Sequence, residues 1–313
     1  MPPASADTGT FLVTGGAGFI GSHLVDALVA AGRRVIVIDN LSTGSERNLN
    51  AAAEFHHLDI GSPAAGQLIV DSRPSAVLHL AAQASVPLSV RDPLADAKTN
   101  VLGTLNLMEA SRRAGDGKFL FVSSGGAIYG EPEQVPAKET TPRRPVSPYG
   151  AAKLAAEIYL ESYGATYGFD YTIIRPGNVF GPRQKPDGSA GVVAIFARAM
   201  LAGQPVTIFG DGEDQRDYVY VSDAVDCIER ALMRGKRTAY NVGTGVETTV
   251  NALFRGLVSL TGYAKPPHHA PARPGDLRQS TLDVSRAEQD LGWRPRTPFL
   301  EGLRRTVDYF RDE

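Results

Sequence analysis

The apolar positions of the chain fall into two regimes. In the first half, short runs rich in β-branched residues alternate with longer stretches of helical spacing. Residues 10–14, Thr-Phe-Leu-Val-Thr, form one such run and end at a glycine cluster. Residues 19–31 follow, with Ile20, Leu24, Leu28 and Ala31 along one helical face and Gly32 closing it. Residues 34–39, Arg-Val-Ile-Val-Ile-Asp, are apolar on both faces, as a central parallel strand requires. Further strands are expected at 54–58, 76–80, 119–123 and 171–175, and helices at 63–71, 97–113 and 148–167. This alternation predicts an α/β fold built on a doubly wound parallel sheet. From about Gly177 the rhythm breaks: glycine and proline become frequent and apolar runs shorten. A sheet domain is therefore expected over 1–176 and a smaller mixed α/β lobe over 177–313. Some crossing of the chain between the two is expected, and no flexible linker.

Between the first strand and first helix, Gly15, Gly18 and Gly21 stand in the spacing G-x-x-G-x-x-G. Such a turn brings backbone close to a pyrophosphate, and the helix N-terminus offers it free N–H groups and a partial positive charge. Asp39 ends the second strand, where an acid can accept a hydrogen bond from the adenosine ribose 2′-OH and would repel a 2′-phosphate. A Rossmann site for NAD, rather than NADP, is the expectation.

Tyr149 and Lys153 lie four residues apart at the start of an expected helix, which stacks them one turn apart on one face. An adjacent ammonium would lower the phenol pKa and let Tyr149 act as a base near neutral pH. Ser123 and Ser124 end another expected strand, at the sheet edge where parallel sheets present functional groups.

Composition narrows the class. Of 313 residues, 42% are hydrophobic and 21% charged, enough for a large core and too ordered a mixture for intrinsic disorder. A net charge of −2 with no basic block argues against nucleic-acid binding. Cys227 is the single cysteine, expected on an apolar helix face, and no Cys/His cluster has zinc spacing, so no metal is expected. The first ten residues lack the basic and apolar regions of a secretory signal. No apolar run approaches the ~20 residues that span a bilayer. A cytoplasmic enzyme with no membrane partner is expected. His56-His57 and His268-His269 read as a strand flank and a loop, without ligand roles.

Together these residues resemble the extended short-chain dehydrogenase/reductases, and within them the NAD-dependent sugar-nucleotide epimerases and dehydratases, the 4-epimerases of UDP-glucose and UDP-galactose above all. The resemblance covers nearly the whole chain. It includes residues 15–21, 39–44, Asp59-Ile60, His79-Leu80-Ala81-Ala82, Asn100, residues 123–130, Tyr149, Lys153 and residues 175–184. Towards the C-terminus it includes residues 209–212, Arg216-Asp217-Tyr218 and Arg273-Pro274-Gly275-Asp276.

The resemblance implies NAD as cofactor, held by Gly15, Gly18, Phe19, Ile20, Gly21, Asp39, Asn40, Ser42, Thr43, Gly44, Asp59, Ile60, Leu80, Ala81, Ala82, Asn100, Ser123, Tyr149, Lys153 and Pro176. It implies a UDP-sugar substrate bound by Ser85, Ser124, Gly125, Gly126, Tyr149, Asn178, Gly191, Val192, Val193, Thr207, Phe209, Arg216, Arg273 and Asp276. Tyr149 would take the proton of the sugar 4-OH, Lys153 would hold the cofactor ribose, and Ser124 or Ser123 would hold the 4-oxygen. Where many relatives carry a third hydroxyl, this chain has Gly125, followed by Gly126; the pair is expected to enlarge the space beside the nicotinamide. No carboxylate stands at 124–127 where dehydratases and decarboxylases place one, so epimerisation leads over elimination. UDP-glucuronate would need a cation such as Lys185, and UDP-N-acetylglucosamine a larger pocket; the sugar stays open. A non-catalytic NAD sensor is the alternative from another class. The family also implies a homodimer through helices 97–113 and 148–167.

Overall fold

The computed structural model describes residues 9–115, 117–186, 191–273 and 277–313. Its centre is a seven-stranded parallel sheet of β1 (Thr10–Thr14), β2 (Arg34–Asp39), β3 (Glu54–His57), β4 (Ala76–His79), β5 (Lys118–Val122), β6 (Tyr171–Pro176) and, far along the chain, β11 (Thr238–Val242). The spatial order is β11-β6-β5-β4-β1-β2-β3, so the winding reverses between β1 and β4. In open α/β sheets that reversal opens the crevice where ligands bind.

Alternation along each strand divides the core into two halves. Leu12, Ile36, Ile38, Val77, Phe119 and Phe121 point to one face, covered by α2 (Pro63–Ser72), α5 (Thr104–Ala114) and α7 (Pro148–Tyr167). Phe11, Val13, Val35, Val37 and Leu78 point to the other, covered by α1 (Phe19–Ala30) and α9 (Val221–Arg234). That second face is continuous with the core of the C-terminal elements, through Phe180, Phe196, Leu257 and Leu303. Three small sheet pieces complete those elements. β7 (Asn178–Phe180) pairs with β10 (Tyr218–Tyr220), and β8 (Thr207–Phe209) with β13 (His268–Ala270). β9 (Gln215–Arg216) lies between β12 (Thr248–Thr249) and β14 (Gln279–Ser280). They are joined by α8 (Val192–Leu201), α10 (Val250–Thr261), α11 (Ser285–Leu291) and α12 (Phe299–Asp312).

Three features depart from the sequence expectations. The helix expected over 97–113 is α4 (Pro93–Ala97), a π-helical turn Lys98–Gly103 and α5, preceded by the short α3 (Val86–Arg91); such wide turns cluster at functional sites. The seventh strand escapes the sequence pattern because the insertion after β6 interrupts the βαβ period before α9 and β11 return to the sheet. The histidine pairs are also more firmly placed than expected. His56 pairs with Glu54, His57 Nε2 donates to the Asn40 carbonyl at 3.1 Å, and His268-His269 belong to β13. Cys227 is fully buried on α9, as its apolar helix face requires.

Candidate active site

The parallel strands end along one edge of the sheet, and the expected cofactor residues follow those ends. After β1 the chain turns through Gly15, whose φ of +73° and close approach to the Ala81 backbone exclude a side chain. A Cβ at Gly21 would strike the Gly15 carbonyl, so helix and turn pack at backbone contact. Gly18 is the N-cap of α1 and supplies no side-chain cap, and the first turn, with Phe19 and Ile20, carries no acid. The uncapped N–H groups and helix dipole therefore face an open crevice.

Asp39 ends β2 with its carboxylate 7% exposed; Oδ2 accepts from Ala17 N at 3.0 Å and Oδ1 from Leu41 N at 2.8 Å. These bonds knit the glycine turn to the loop carrying Asn40, Ser42, Thr43 and Gly44. Asn40 donates to Asp59 Oδ2 at 2.9 Å, tying in the loop after β3 that holds Asp59 and the buried Ile60. Lys185, the candidate cation for a UDP-glucuronate carboxylate, donates to the Gly44 carbonyl at 3.4 Å.

After β4, Leu80, Ala81 and Ala82 lead to Gln83 and to Ser85, the N-cap of α3. Asn100 acts on this loop: its Oδ1 accepts from Gln83 N at 3.0 Å and its Nδ2 donates to the Gln83 carbonyl at 2.8 Å and to Asp96 Oδ1 at 3.0 Å. The expectation that Asn100 lines the cofactor cleft is thus refined, since its polar atoms are spent shaping the loop. Beneath the loop, His79 is fully buried. Thr104 Oγ1 uses its proton on the Asn100 carbonyl at 2.7 Å, so His79 Nε2 donates to Thr104 and Nδ1 accepts from Thr14 Oγ1 at 2.7 Å. The ring is neutral, and burial, with Lys153 nearby, pushes its pKa down to about 3.

The side chains expected to react gather after β5. Tyr149 and Lys153 lie on the buried face of α7, whose N-cap Ser147 accepts from Gly150 N. The Tyr149 hydroxyl stands beside Ser124, which favours its ionised form, while its backbone N–H donates to Ser89 Oγ at 3.1 Å. Ser123 is 3% exposed, and its Oγ has no partner among the described residues. A buried hydroxyl left unpaired is what a ligand-binding group looks like without its ligand.

Two expectations are corrected here. Lys153 does not lower the Tyr149 pKa. Its Nζ donates to the Val122 carbonyl at 2.9 Å and lies 4.7 Å from the Phe121 ring centroid but 6.0 Å from that of Tyr149. Burial instead pushes Tyr149 up to about 12, Ser124 lowering it and Asp96 raising it further. Gly125 opens no space either. A Cβ there would lie 2.6 Å from Leu282 Cδ1 and 2.8 Å from the Arg175 carbonyl. Only Gly126 has room, its would-be Cβ 3.7 Å from Asn178 Oδ1 and 3.8 Å from Ser280 Oγ.

On the opposite wall, Pro176 ends β6 and Asn178 opens β7, its N–H bonded to the Asp217 carbonyl at 2.7 Å. Among the described residues neither Arg216 nor Arg273 is in an ion pair: Arg216 donates to the Gln215 carbonyl, and the Arg273 guanidinium covers the Phe209 ring at 3.5 Å. Two guanidinium groups outside ion pairs suit a diphosphate. Gly191 caps α8, Val192 is half-buried and Val193 points into the core, which leaves only its backbone for a ligand. Thr207 begins β8, and Asp276 lies outside the described residues. Asp217, within the Arg-Asp-Tyr run, is structural: it accepts from Thr244 N and Oγ1, Gly245 N and Leu282 N.

Sequence reasoning missed Asp96, Gln83, Ser89 and Ser280. Asp96 carried a signal, one helical turn before Asn100; the other three are set by folding partners distant in sequence.

The glycine turn, uncapped helix, acid at β2 and orphaned Ser123 hydroxyl together fit a dinucleotide. Residues 11–243 match the model of the NAD dependent epimerase/dehydratase family. The chain belongs to that family. It is 48% identical over 308 residues to UDP-glucose 4-epimerase of Mycolicibacterium smegmatis, covering 96% of this chain and 98% of that one. It is similar to the crystal structure of UDP-glucose 4-epimerase with UDP-glucose from Thermotoga maritima (52% identity, TM-score 0.95, 97% and 99% of the two chains). It is likewise similar to the Thermus thermophilus UDP-glucose 4-epimerase in complex with NAD (48% identity, TM-score 0.92, 96% and 99%). Among the described residues no helix is long and apolar enough to cross a membrane, and no cluster of metal-ligating side chains occurs.

Proposed function

We propose that the protein interconverts UDP-glucose and UDP-galactose by epimerising C4 of the sugar. The observation that carries this reading is the buried Tyr149 with Ser124 beside its hydroxyl, next to the dinucleotide cradle and with no carboxylate at 124–127. NAD, when bound, supplies the hydride acceptor and donor for C4 and, in its oxidised form, a positive charge. Tyr149, ionised in the field of that positive charge, takes the proton from the 4-OH as the carbonyl forms and returns it as the alcohol re-forms. Ser124 holds the 4-oxygen through both halves, and Ser123 stands within the same pocket. Lys153, fixed by Val122, serves the cofactor ribose and the local potential rather than the phenol directly. Arg216 and Arg273, with Asn178, hold the diphosphate while the 4-keto sugar turns and presents its other face.

A second substrate, UDP-N-acetylglucosamine, is favoured by the room at Gly126, bordered by Asn178 and the small Ser280. Incubating the purified protein, without added cofactor, with UDP-glucose, UDP-galactose, their N-acetylamino analogues and UDP-glucuronate tests both readings. Formation of the C4 epimer from UDP-galactose is expected. Turnover of none of these sugars would overturn the assignment.

The protein is further proposed to act in the cytoplasm as a homodimer. A single, buried cysteine suits a reducing compartment. Val90, Leu94, Leu102, Ile158 and Tyr159, all exposed, lie on α3, α4, the π turn and α7, which pack side by side. An apolar surface of this kind favours self-association. Light scattering on Leu102→Glu with Ile158→Glu should report a monomer.

A further inference from the structure

We propose that Asp96 is a positioning residue of the reaction: its buried carboxylate, set where α4 packs on α7, holds Asn100 and the Ala81–Ser85 loop in place and supplies negative charge to the face of α7 that carries Lys153. The geometry is specific. Asp96 is 1% exposed. Its Oδ1 accepts from Gln83 Nε2 at 2.7 Å and from Asn100 Nδ2 at 3.0 Å. Its Oδ2 is buried without a hydrogen-bond partner among the described residues. A carboxylate so placed stays ionised where a nearby positive charge compensates it, and otherwise takes up a proton. α7 supplies that charge in Lys153, itself 3% exposed, with one hydrogen bond and no direct ion pair among the described residues.

The groups facing Lys153 are few. Asp96 faces it from α4 and Glu157 from one turn along α7; both raise its pKa, against the burial that pushes it down to about 8. From β4 comes His79, which is neutral, and from β5 the Val122 carbonyl and Phe121 ring. Tyr149, one turn earlier on α7, is a neutral phenol when no cofactor charge is present. Glu157 is already shared between Arg143 and Arg175. Asp96 is thus the carboxylate whose charge is least neutralised by other cations. Burial raises its own pKa, while the Gln83 and Asn100 hydrogen bonds and Lys153 favour the ionised form.

This inference rests on the proposed roles of Tyr149 and Lys153, but its test does not depend on the sugar. Asp96→Asn keeps an oxygen acceptor for Gln83 and Asn100 and removes the charge. In protein labelled with [ε-¹³C]lysine, the Lys153 resonance, assigned by its loss in Lys153→Arg, is titrated in wild type and variant. Removing an opposite charge from the surroundings of a buried ammonium lowers its pKa, so the midpoint should fall, by about one unit, in Asp96→Asn. Asp96→Glu should restore it. The alkaline limb of kcat should move to lower pH by the same amount, with KM little changed. Should Asp96→Asn not fold, Asp96→Ser, which leaves room for water, carries the same comparison. An unchanged Lys153 midpoint, or a loss of kcat uniform across pH, overturns the proposal. Failure to epimerise any sugar would sink the functional reading and leave the titration result standing.

Discussion

At the β1–β2 end of the cleft, the groups that face the ligand are largely backbone: the Gly15 turn, the first N–H groups of α1 and the loop tied by Asp39. At the β5–α7 end they are side chains, and nearly all are buried. Ser123, Tyr149, Lys153, Asp96 and Asn100 are each less than one tenth exposed. A backbone cradle is fixed by sterics among near neighbours and carries no net charge. A buried cluster of ionisable side chains is fixed by partners on other elements, and each member sets the protonation of the next. Cofactor binding should therefore tolerate changes that silence proton transfer.

The largest effect is expected at Tyr149. Tyr149→Phe removes one hydroxyl and should lower kcat by about 10²–10⁴-fold, the usual contribution of general acid–base catalysis. The nucleotide released by denaturing the variant should match wild type in amount. Loss of bound NAD in step with activity would mean that the two ends are not separable. Glu157→Ala attacks the support of the side-chain end. Glu157 is 0% exposed and receives Arg175 at 2.7 Å and 3.1 Å and Arg143 at 3.0 Å. Arg175 in turn donates to the Tyr129 hydroxyl, which donates to Asn241 on β11. Removing one member of a buried pair costs about 3–5 kcal/mol, read as a lower midpoint in urea unfolding. A change under about 1 kcal/mol, the range of an exposed pair, would show that Arg143 and Arg175 find other partners.

The same contrast explains what the sequence could convey. The G-x-x-G-x-x-G turn, Asp39 and the Tyr-x-x-x-Lys pair are local patterns whose geometry follows from a strand–turn–helix or from one helical turn. The strands expected in the first half lie within a residue of those observed, and β1 and β2 match their expected ranges. Legibility fails where a residue's environment comes from elsewhere in the chain. Gly125 reads as empty space, yet Leu282 and the Arg175 carbonyl fill it. Lys153 reads as the neighbour that acidifies Tyr149, yet β5 supplies a carbonyl and an aromatic face that draw it away. Asp96 was within reach, since it precedes Asn100 by one turn, but its importance depends on α4 meeting α7.

The two glycines after the serines sharpen the comparison at smaller cost. Gly125→Ser forces a side chain against Leu282 and backbone, and overpacking of this kind costs about 1–3 kcal/mol. Gly126→Ser enters open space bordered by Asn178 and Ser280, where about ±0.5 kcal/mol is expected. Thermal midpoints measured side by side should separate the two. Equal destabilisation would mean that α6 (Gly125–Ile128) resists any side chain there, whatever the space around it.

The two serines before these glycines should respond differently, one in kcat and the other in stability. Ser124 stands beside the Tyr149 hydroxyl and favours its ionised form, so Ser124→Ala removes that support. Its kcat should fall about tenfold, the ~1.4 kcal/mol of one hydrogen bond at the upper end of the neutral range, with little change in KM. Ser123 is different. Its Oγ is buried and unpaired among the described residues, a state that costs about 1–3 kcal/mol until a ligand satisfies it. Ser123→Ala should therefore leave the cofactor-stripped protein as stable as wild type or more so. It should also narrow the gain in melting temperature when NAD or UDP-galactose is added back. Thermal shift with and without each ligand separates the two. Cofactor-stripped Ser123→Ala that melts well below wild type would show that the hydroxyl is already satisfied within the fold, and the pocket would then lose its clearest unfilled donor.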